Sequence, residues 1–426
     1  MTSREPVLLS EPPAFCRDRL VHAWVVIKAV SDAGDAVWSI ALAWTAVQIA
    51  SPAAAGLIVA AGTVPRAVIL LYGGVIADRA DPRLVMMLCN GARIVVLLGA
   101  ALWVVATPPT VGVLLAAAIA FGVCDALYEP SAATIGRQLV RASDLPSYSA
   151  MSQTASRLGT MAGAAAGGSL VAWSGLAGSA SADVLTFALV VAFIAIWLRP
   201  RFRLARVERE SALRGVAHSF THLGSHPTTR TLVIALSGLN LAVGPAVGIG
   251  LALRAHDEGW GAQAVGLFEA LLGLGAAVGA ASVLRWRPRR EARAGFCALA
   301  VQGGAIVALG VGQIWMVGAA AFAIGATAGY ASVLLSATFA ATVDTAYLGR
   351  MSSLTRLGDD CLMPLAMAAF GALASATAIW VPFAAYGAAM SMLMVLPLSN
   401  PSFRRLTLRG NSPRPDGVES RDDARR

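Results

Sequence analysis

Twelve apolar stretches run along the chain, each bounded by Pro, Gly or Arg. They fall at 21–48, 54–77, 84–106, 110–136, 147–173 and 179–198, then at 231–253, 262–284, 294–312, 315–341, 352–374 and 378–398. Each is near the roughly 20 residues that a helix needs to cross a hydrocarbon core about 30 Å thick. The runs are continuous rather than alternating, so they predict helices and not the strands of a membrane barrel. A polar, Arg-rich segment, 199–230, separates the first six from the last six, and 211–224 within it has the pattern of a short amphipathic helix. The expectation is an all-α integral membrane protein of twelve transmembrane helices in two six-helix bundles, 21–198 and 231–398. A tail (1–20), a central loop (199–230) and an Arg-rich C-terminal tail (399–426), expected to be disordered, complete the chain.

Composition agrees. Of 426 residues 57% are apolar and 13% charged, with a mean hydropathy of +0.67. A soluble domain carries about 25% charged residues, so a soluble enzyme, a nucleic-acid-binding domain and a disordered chain are excluded. The net charge of +9 matters through its placement. With both termini cytoplasmic, 27 of the 33 Lys and Arg residues fall in loops and tails on that side. Five more lie inside spans (Lys28, Arg66, Arg93, Arg157, Arg356), which leaves Arg254 alone outside. That asymmetry follows the positive-inside rule and predicts a multi-pass protein of the plasma membrane. The five cysteines (Cys16, Cys89, Cys124, Cys297, Cys361) have no metal or CxxC spacing and read as packing residues. His218, His222 and His226 recur every four residues, but Pro227 ends that run and no Cys or acid completes a metal site. They read as a solvated face.

The halves share a weak repeat. Ser156-Arg157-Leu158-Gly159 opens the fifth span and Thr355-Arg356-Leu357-Gly358 opens the eleventh. Internal repeats are a feature of transporters, whose substrate path lies at the repeat interface. The loop after the second span reads Gly73-Gly74-Val75-Ile76-Ala77-Asp78-Arg79-Ala80-Asp81-Pro82-Arg83. It resembles the signature loop of the major facilitator superfamily, G-x-x-x-D-R-x-G-R-R, with Gly74, Asp78, Arg79 and Arg83 in register. Asp81 and Pro82 depart from that pattern. Gly159, Gly163, Gly167 and Gly168 resemble the antiporter motif of the fifth span, with Ala164 in place of its proline. Ser31-Asp32-Ala33-Gly34-Asp35, Tyr128-Glu129-Pro130 and Leu348-Gly349-Arg350 resemble the macrolide-efflux and siderophore-exporter branch. The resemblance implies the major facilitator fold and proton-coupled efflux of amphipathic small molecules by alternating access. An exporter of a siderophore or other specific metabolite, and an importer of the same fold, stand as alternatives. It implies no cofactor, a monomer, and as partners a small-molecule substrate, protons and lipid, with no nucleic acid.

An ionisable residue inside a membrane is costly and marks a functional site by default. Asp32 and Asp35 lie three apart on one helical face, and Asp35 and Arg66 reach similar depths, within pairing range. The readings are an ion pair between spans one and two, or coupling and substrate contact. Asp125 and Glu129 share a face of the fourth span, with Arg93 and Arg157 as partners at similar depth. In the implied fold, spans one, four, seven and ten surround the cavity, which adds Asn240 and Tyr330 to Asp35, Asp125 and Glu129. Glu269 is a lone acid in the outer half of span eight. Arg157 is read as a gate partner, and Arg356, Asp359 and Asp360 as a self-satisfied cluster. A membrane-embedded enzyme would need a nucleophile and base or a metal cluster at depth, and all five histidines fall in or beside loops. No phosphate-binding Gly-x-x-x-x-Gly-Lys motif is present, and no short half-span marks a channel filter.

Overall fold

A computed structural model describes residues 7–8, 12–77, 81–203, 223–225, 227–343 and 347–399. Asp18 starts the first helix, accepting the Val21 N–H (3.3 Å) and satisfying one orphan donor of its first turn. The helices are α1 (Arg19–Ile49), α2 (Pro52–Ala77), α3 (Pro82–Ala106), α4 (Val111–Leu139) and α5 (Leu145–Ile196). The second half holds α6 (Pro227–Pro245), α7 (Leu251–Asp257), α8 (Ala262–Arg285), α9 (Glu291–Val311), α10 (Ile314–Thr342), α11 (Leu348–Ala376) and α12 (Trp380–Ser399). A π-turn, Ala246–Gly250, follows Pro245 and joins α6 to α7 as one crossing. Nine helices among the described residues are long and apolar enough to cross a membrane. One of them, α5, crosses twice, and α1 and α2 bring the crossings to twelve.

The fifth and sixth spans depart from the sequence expectation, which separated them by a loop. They form one helical run with a corner at Gly175, whose φ of 60° and ψ of −158° suit glycine. The chain reverses there. Gly159, Gly163 and Gly167 of the first limb climb α1 past Ala29, Ala33 and Val37, whereas Asp183 and Phe193 of the second limb descend it past Gly34 and Trp24. The helix α1 is therefore cradled between the two limbs. Contacts of this kind give every span a direction, with the N-terminus of α1 and the C-terminus of α12 at one end of the molecule, called here the tail end.

Pairing repeats between the halves. In the first, span one packs on five, two on four and three on six; in the second, seven packs on eleven, eight on ten and nine on twelve. Small residues permit these approaches. Gly122 lies against the Gly62 carbonyl across α2 and α4, and Gly325 and Gly329 lie against Leu272 and Ala276 across α8 and α10. The halves meet through α2 with α11 and the first limb of α5 with α8. Among the described residues, their closest backbone approaches lie toward the far end, where Gly56 meets Gly371 and Gly168 meets Ala262 and Gly266.

At the tail end the chain is not purely helical. Val7–Leu8 pairs antiparallel with Phe202–Arg203, and Arg201 forms a salt bridge to Asp18 through both carboxylate oxygens. Burial pushes the Asp18 carboxyl up, but hydrogen bonds from Arg201 and the Val21 backbone, with the Arg201 charge, outweigh it and hold the group below its ordinary value.

Candidate functional site

Among the described residues, most of the charged side chains singled out in the sequence fall into three groups. In the first, Lys28 donates to both oxygens of Asp32 and to the Ser156 hydroxyl (3.0 Å each), and Ser156 in turn donates to Asp32. This ties α1 to the first limb of α5 through a residue of the repeated motif. Its counterpart in the second half does the same work. Ser237 of α6 donates to the Thr355 carbonyl of α11 (3.3 Å) and lies against Gly358. Arg157, next to Ser156, is exposed and makes no ion pair among the described residues.

The second group centres on Arg93, 1% exposed. Its guanidinium pairs with Asp125 of α4, donates to Asn90 (3.2 Å) and lies about 5 Å from the ring centroids of Phe121, Tyr128 and Phe187. Cation–π contact of this kind strengthens when water is excluded. Asp35 stands nearby on α1. It does not pair with Arg66, as depth alone allows, and its Oδ1 is buried without a hydrogen-bond partner. Asp183 of α5, passed over in the sequence, is also here and fully buried. The signal that marks it is an isolated acid four residues inside the apolar run 179–198.

The third group spans the two halves. Arg66 of α2 lies 3.8 Å from Glu129 of α4 and 3.6 Å from Asp360 of α11. Asn240 of α6 donates to Asp359 (2.7 Å). Asp359 and Asp360 thus also reach other helices, while the Arg356 charge acts on Asp360 within α11. Side-chain exposure is 43% for Arg66 and 58% for Glu129, although both sit far from either end of their helices. Lipid does not solvate charges at that depth, so these side chains need water or polar partners around them. Glu129 faces Arg66, while Asp125, one turn earlier, turns to Arg93.

Two candidate residues, one expected in the cavity and one a lone acid, belong to none of these groups among the described residues. Tyr330 is half-buried midway along α10, and Glu269 half-buried two turns into α8. The signature loop is placed in part. Gly74 lies in the last turn of α2, whereas Asp78 and Arg79 fall outside the described residues, as do His218, His222 and His226 and nearly all of 211–224. The departures at Asp81 and Pro82 have a local role, since Asp81 accepts the Arg83 N–H (2.9 Å) as N-cap of α3 and Pro82 takes the first helical turn. Arg83 donates to the Ile194 carbonyl (2.9 and 2.7 Å) and the Ala195 carbonyl (2.7 Å), closing the end of α5. In the glycine ridge, Gly159, Gly163 and Gly167 face α1, while Gly168 faces α8 of the other half. Cys89 and Cys124 are buried, and all five cysteines are free thiols.

The sequence matches the Major Facilitator Superfamily over residues 25–359. The chain belongs to this superfamily. It is a membrane transporter of small molecules, not an enzyme. Solved structures agree in fold. A POT family transporter in complex with 5-aminolevulinic acid gives a TM-score of 0.72 at 12% identity, covering 93% of this chain and 99% of that one. A mutant of the nucleoside transporter NupG gives 0.70 at 11% identity, with 89% and 99% covered. The human organic anion transporter MFSD10 (TETRAN) gives 0.60 at 18% identity, with 91% and 100% covered. No curated protein matches the sequence. In the major facilitator fold, the three charge groups lie in the first half-bundle and on the seam where the two halves meet.

Proposed function

We propose that this protein is a proton-coupled exporter of amphipathic small molecules, working as a monomer in the plasma membrane with its tail end cytoplasmic. The observation that carries the reading is Arg66, held between an acid of its own half and an acid of the other. Both contacts are long and open to water, so neither is locked. A bridge of this kind forms when the halves lean one way and breaks when they lean the other, which is what alternating access requires. The close approaches at the far end support an inward-facing state, with the cavity open to the cytoplasm. Proton coupling is supported by Asp35, Asp125 and Glu129 at mid-depth; Asp32 relays to Asp35 from one turn nearer the tail end. A proton moving down about 100 mV supplies about 2.3 kcal/mol, enough for a roughly 40-fold gradient of a neutral solute. Export is supported by the resemblance of Ser31-Asp32-Ala33-Gly34-Asp35 and Tyr128-Glu129-Pro130 to the efflux branch.

The test is flux into inside-out vesicles across a panel of amphipathic drugs and siderophores, with and without an imposed pH gradient. Saturable uptake that collapses with the gradient is expected. Asp35→Asn is expected to abolish gradient-driven accumulation while substrate binding, read by equilibrium dialysis, is retained. Accumulation by that variant at the wild-type level would move coupling to Asp125 or Glu129.

A further inference from the structure

Asp183 is 0% exposed. Its Oδ1 accepts from the Thr186 hydroxyl (2.8 Å) and its Oδ2 is buried with no hydrogen-bond partner. Gly34 of α1 sits directly on Asp183 Oδ1 and the Thr186 hydroxyl, so closely that any Cβ there would overlap both. The next residue is Asp35, whose Oδ1 is likewise buried and unpartnered. Acids on two packed helices thus each carry a buried oxygen without a partner, Asp183 at the Gly34 contact that joins the helices and Asp35 one residue from it.

The surrounding charges are already engaged. Lys28 is taken by Asp32, Arg93 by Asp125, and Arg66 by Glu129 and Asp360. Asp183 feels Asp35 and Arg93, and Asp35 feels Arg93, Asp32, Lys28 and Glu129. The remaining titratable neighbours are the Tyr128 hydroxyl on α4 and the Cys89 and Cys124 thiols beside Arg93. None of these supplies a positive charge. Two buried carboxylates with no cation of their own are strongly disfavoured, and two orphan oxygens beside one hydroxyl fall short of the oxygen shell a metal ion requires.

We propose that Asp35 and Asp183 together hold one exchangeable proton, and that this pair is the proton-binding site of the transporter. The proposal rests on the proton-coupled reading above and locates its proton. A hydronium ion in the cavity gives its proton to one carboxylate oxygen, an O–H bond forms, water is left, and the charge of the pair falls from two to one. Release reverses these steps. Asp35 is half-buried and gives the route; Asp183 has none of its own. Loss of the proton sets like charges on α1 and on the second limb of α5 against each other, where Gly34 packs on Asp183. The proton is thereby linked to the packing of α1.

The test is infrared difference spectroscopy of the full-length protein in lipid vesicles, reading the carbonyl stretch of protonated carboxylic acids across a pH titration. A titrating band is expected in the wild type. Asp183→Asn and Asp35→Asn are each expected to shift the pH at which the band titrates, because either substitution takes away the like charge that the remaining acid feels. A titration left unchanged by either substitution overturns the shared site. Should Asp183→Asn fail to fold, Thr186→Val keeps both acids and is expected to shift the band, and an unshifted band overturns the proposal. Exchanging choline chloride for sodium chloride is expected to change nothing; loss of the band in sodium assigns the site to a metal cation and overturns the proton. Flux indifferent to a pH gradient would defeat the coupling reading while these spectra still decide the pair.

Discussion

Arg93 is costly to disturb. A guanidinium 1% exposed, walled by Phe121, Tyr128 and Phe187, is tolerable only because Asp125 and Asn90 answer it. Removing one partner of such a pair leaves the other charge stranded. Arg93→Met is expected to lower stability by about 3–5 kcal/mol, and adding Asp125→Leu should return most of it, both read from denaturant unfolding in detergent. No recovery in the double variant would mean that the rings, not the charge, set the cost. Depth along a helix was readable at this scale, and it brought Arg93 level with Asp125. Depth carries no azimuth, however, and no information on how the halves sit, so depth alone matches Arg66 to Asp35, whereas its partners lie on α4 and across the seam on α11. Asp183 was missed because one acid in an apolar run shows its meaning only when Gly34 is seen against it.

Among the elements, α5 joins the most functions. Its first limb presents one row of glycines to α1 and then, at Gly168, turns a small residue to α8. The α8 contact has to open if the molecule is to expose its cavity at the far end. Gly168→Leu places a side chain where Ala262 and Gly266 already are, and is expected to hold that seam apart. In a background without native cysteines, Gln263→Cys should then label several-fold faster with a membrane-impermeant maleimide. Gly99→Leu, where nothing lies within 4 Å of an added Cβ, should leave the rate unchanged, and equal rates in both variants would remove the seam's role. Span positions were legible to within a few residues, since lipid enforces a long apolar run whatever the tertiary structure. The corner at Gly175 was not, because Ser174, Gly175 and their neighbours have the composition of an ordinary loop.

The whole molecule is two repeats joined by a seam and strapped at the tail end. The strap has a definite pH signature. Asp18 is held below its ordinary value of 3.8, so its contribution to stability is full above that pH and is lost as the pH falls through the lower folded value. Asp18→Asn is therefore expected to melt below the wild type at neutral pH, with the gap closing in acid, by tryptophan fluorescence on the detergent-solubilised protein. A gap that is constant with pH would show that Arg201 does not depend on the Asp18 charge. The six-plus-six plan was legible from the long polar segment and the Ser156 and Thr355 repeats, both of which lie where span five meets one and eleven meets seven. The corner at Gly175 also bears on how the chain is made. With a single residue between its limbs, α5 leaves no loop between the fifth and sixth spans, and the two are expected to enter the bilayer together as a hairpin. The sixth carries Asp183, whose charge opposes entry by about 2.5–3.5 kcal/mol at mid-membrane. Its apolar partner limb enters with it and offsets that cost, and α1, already made, waits with Gly34 to receive the acid.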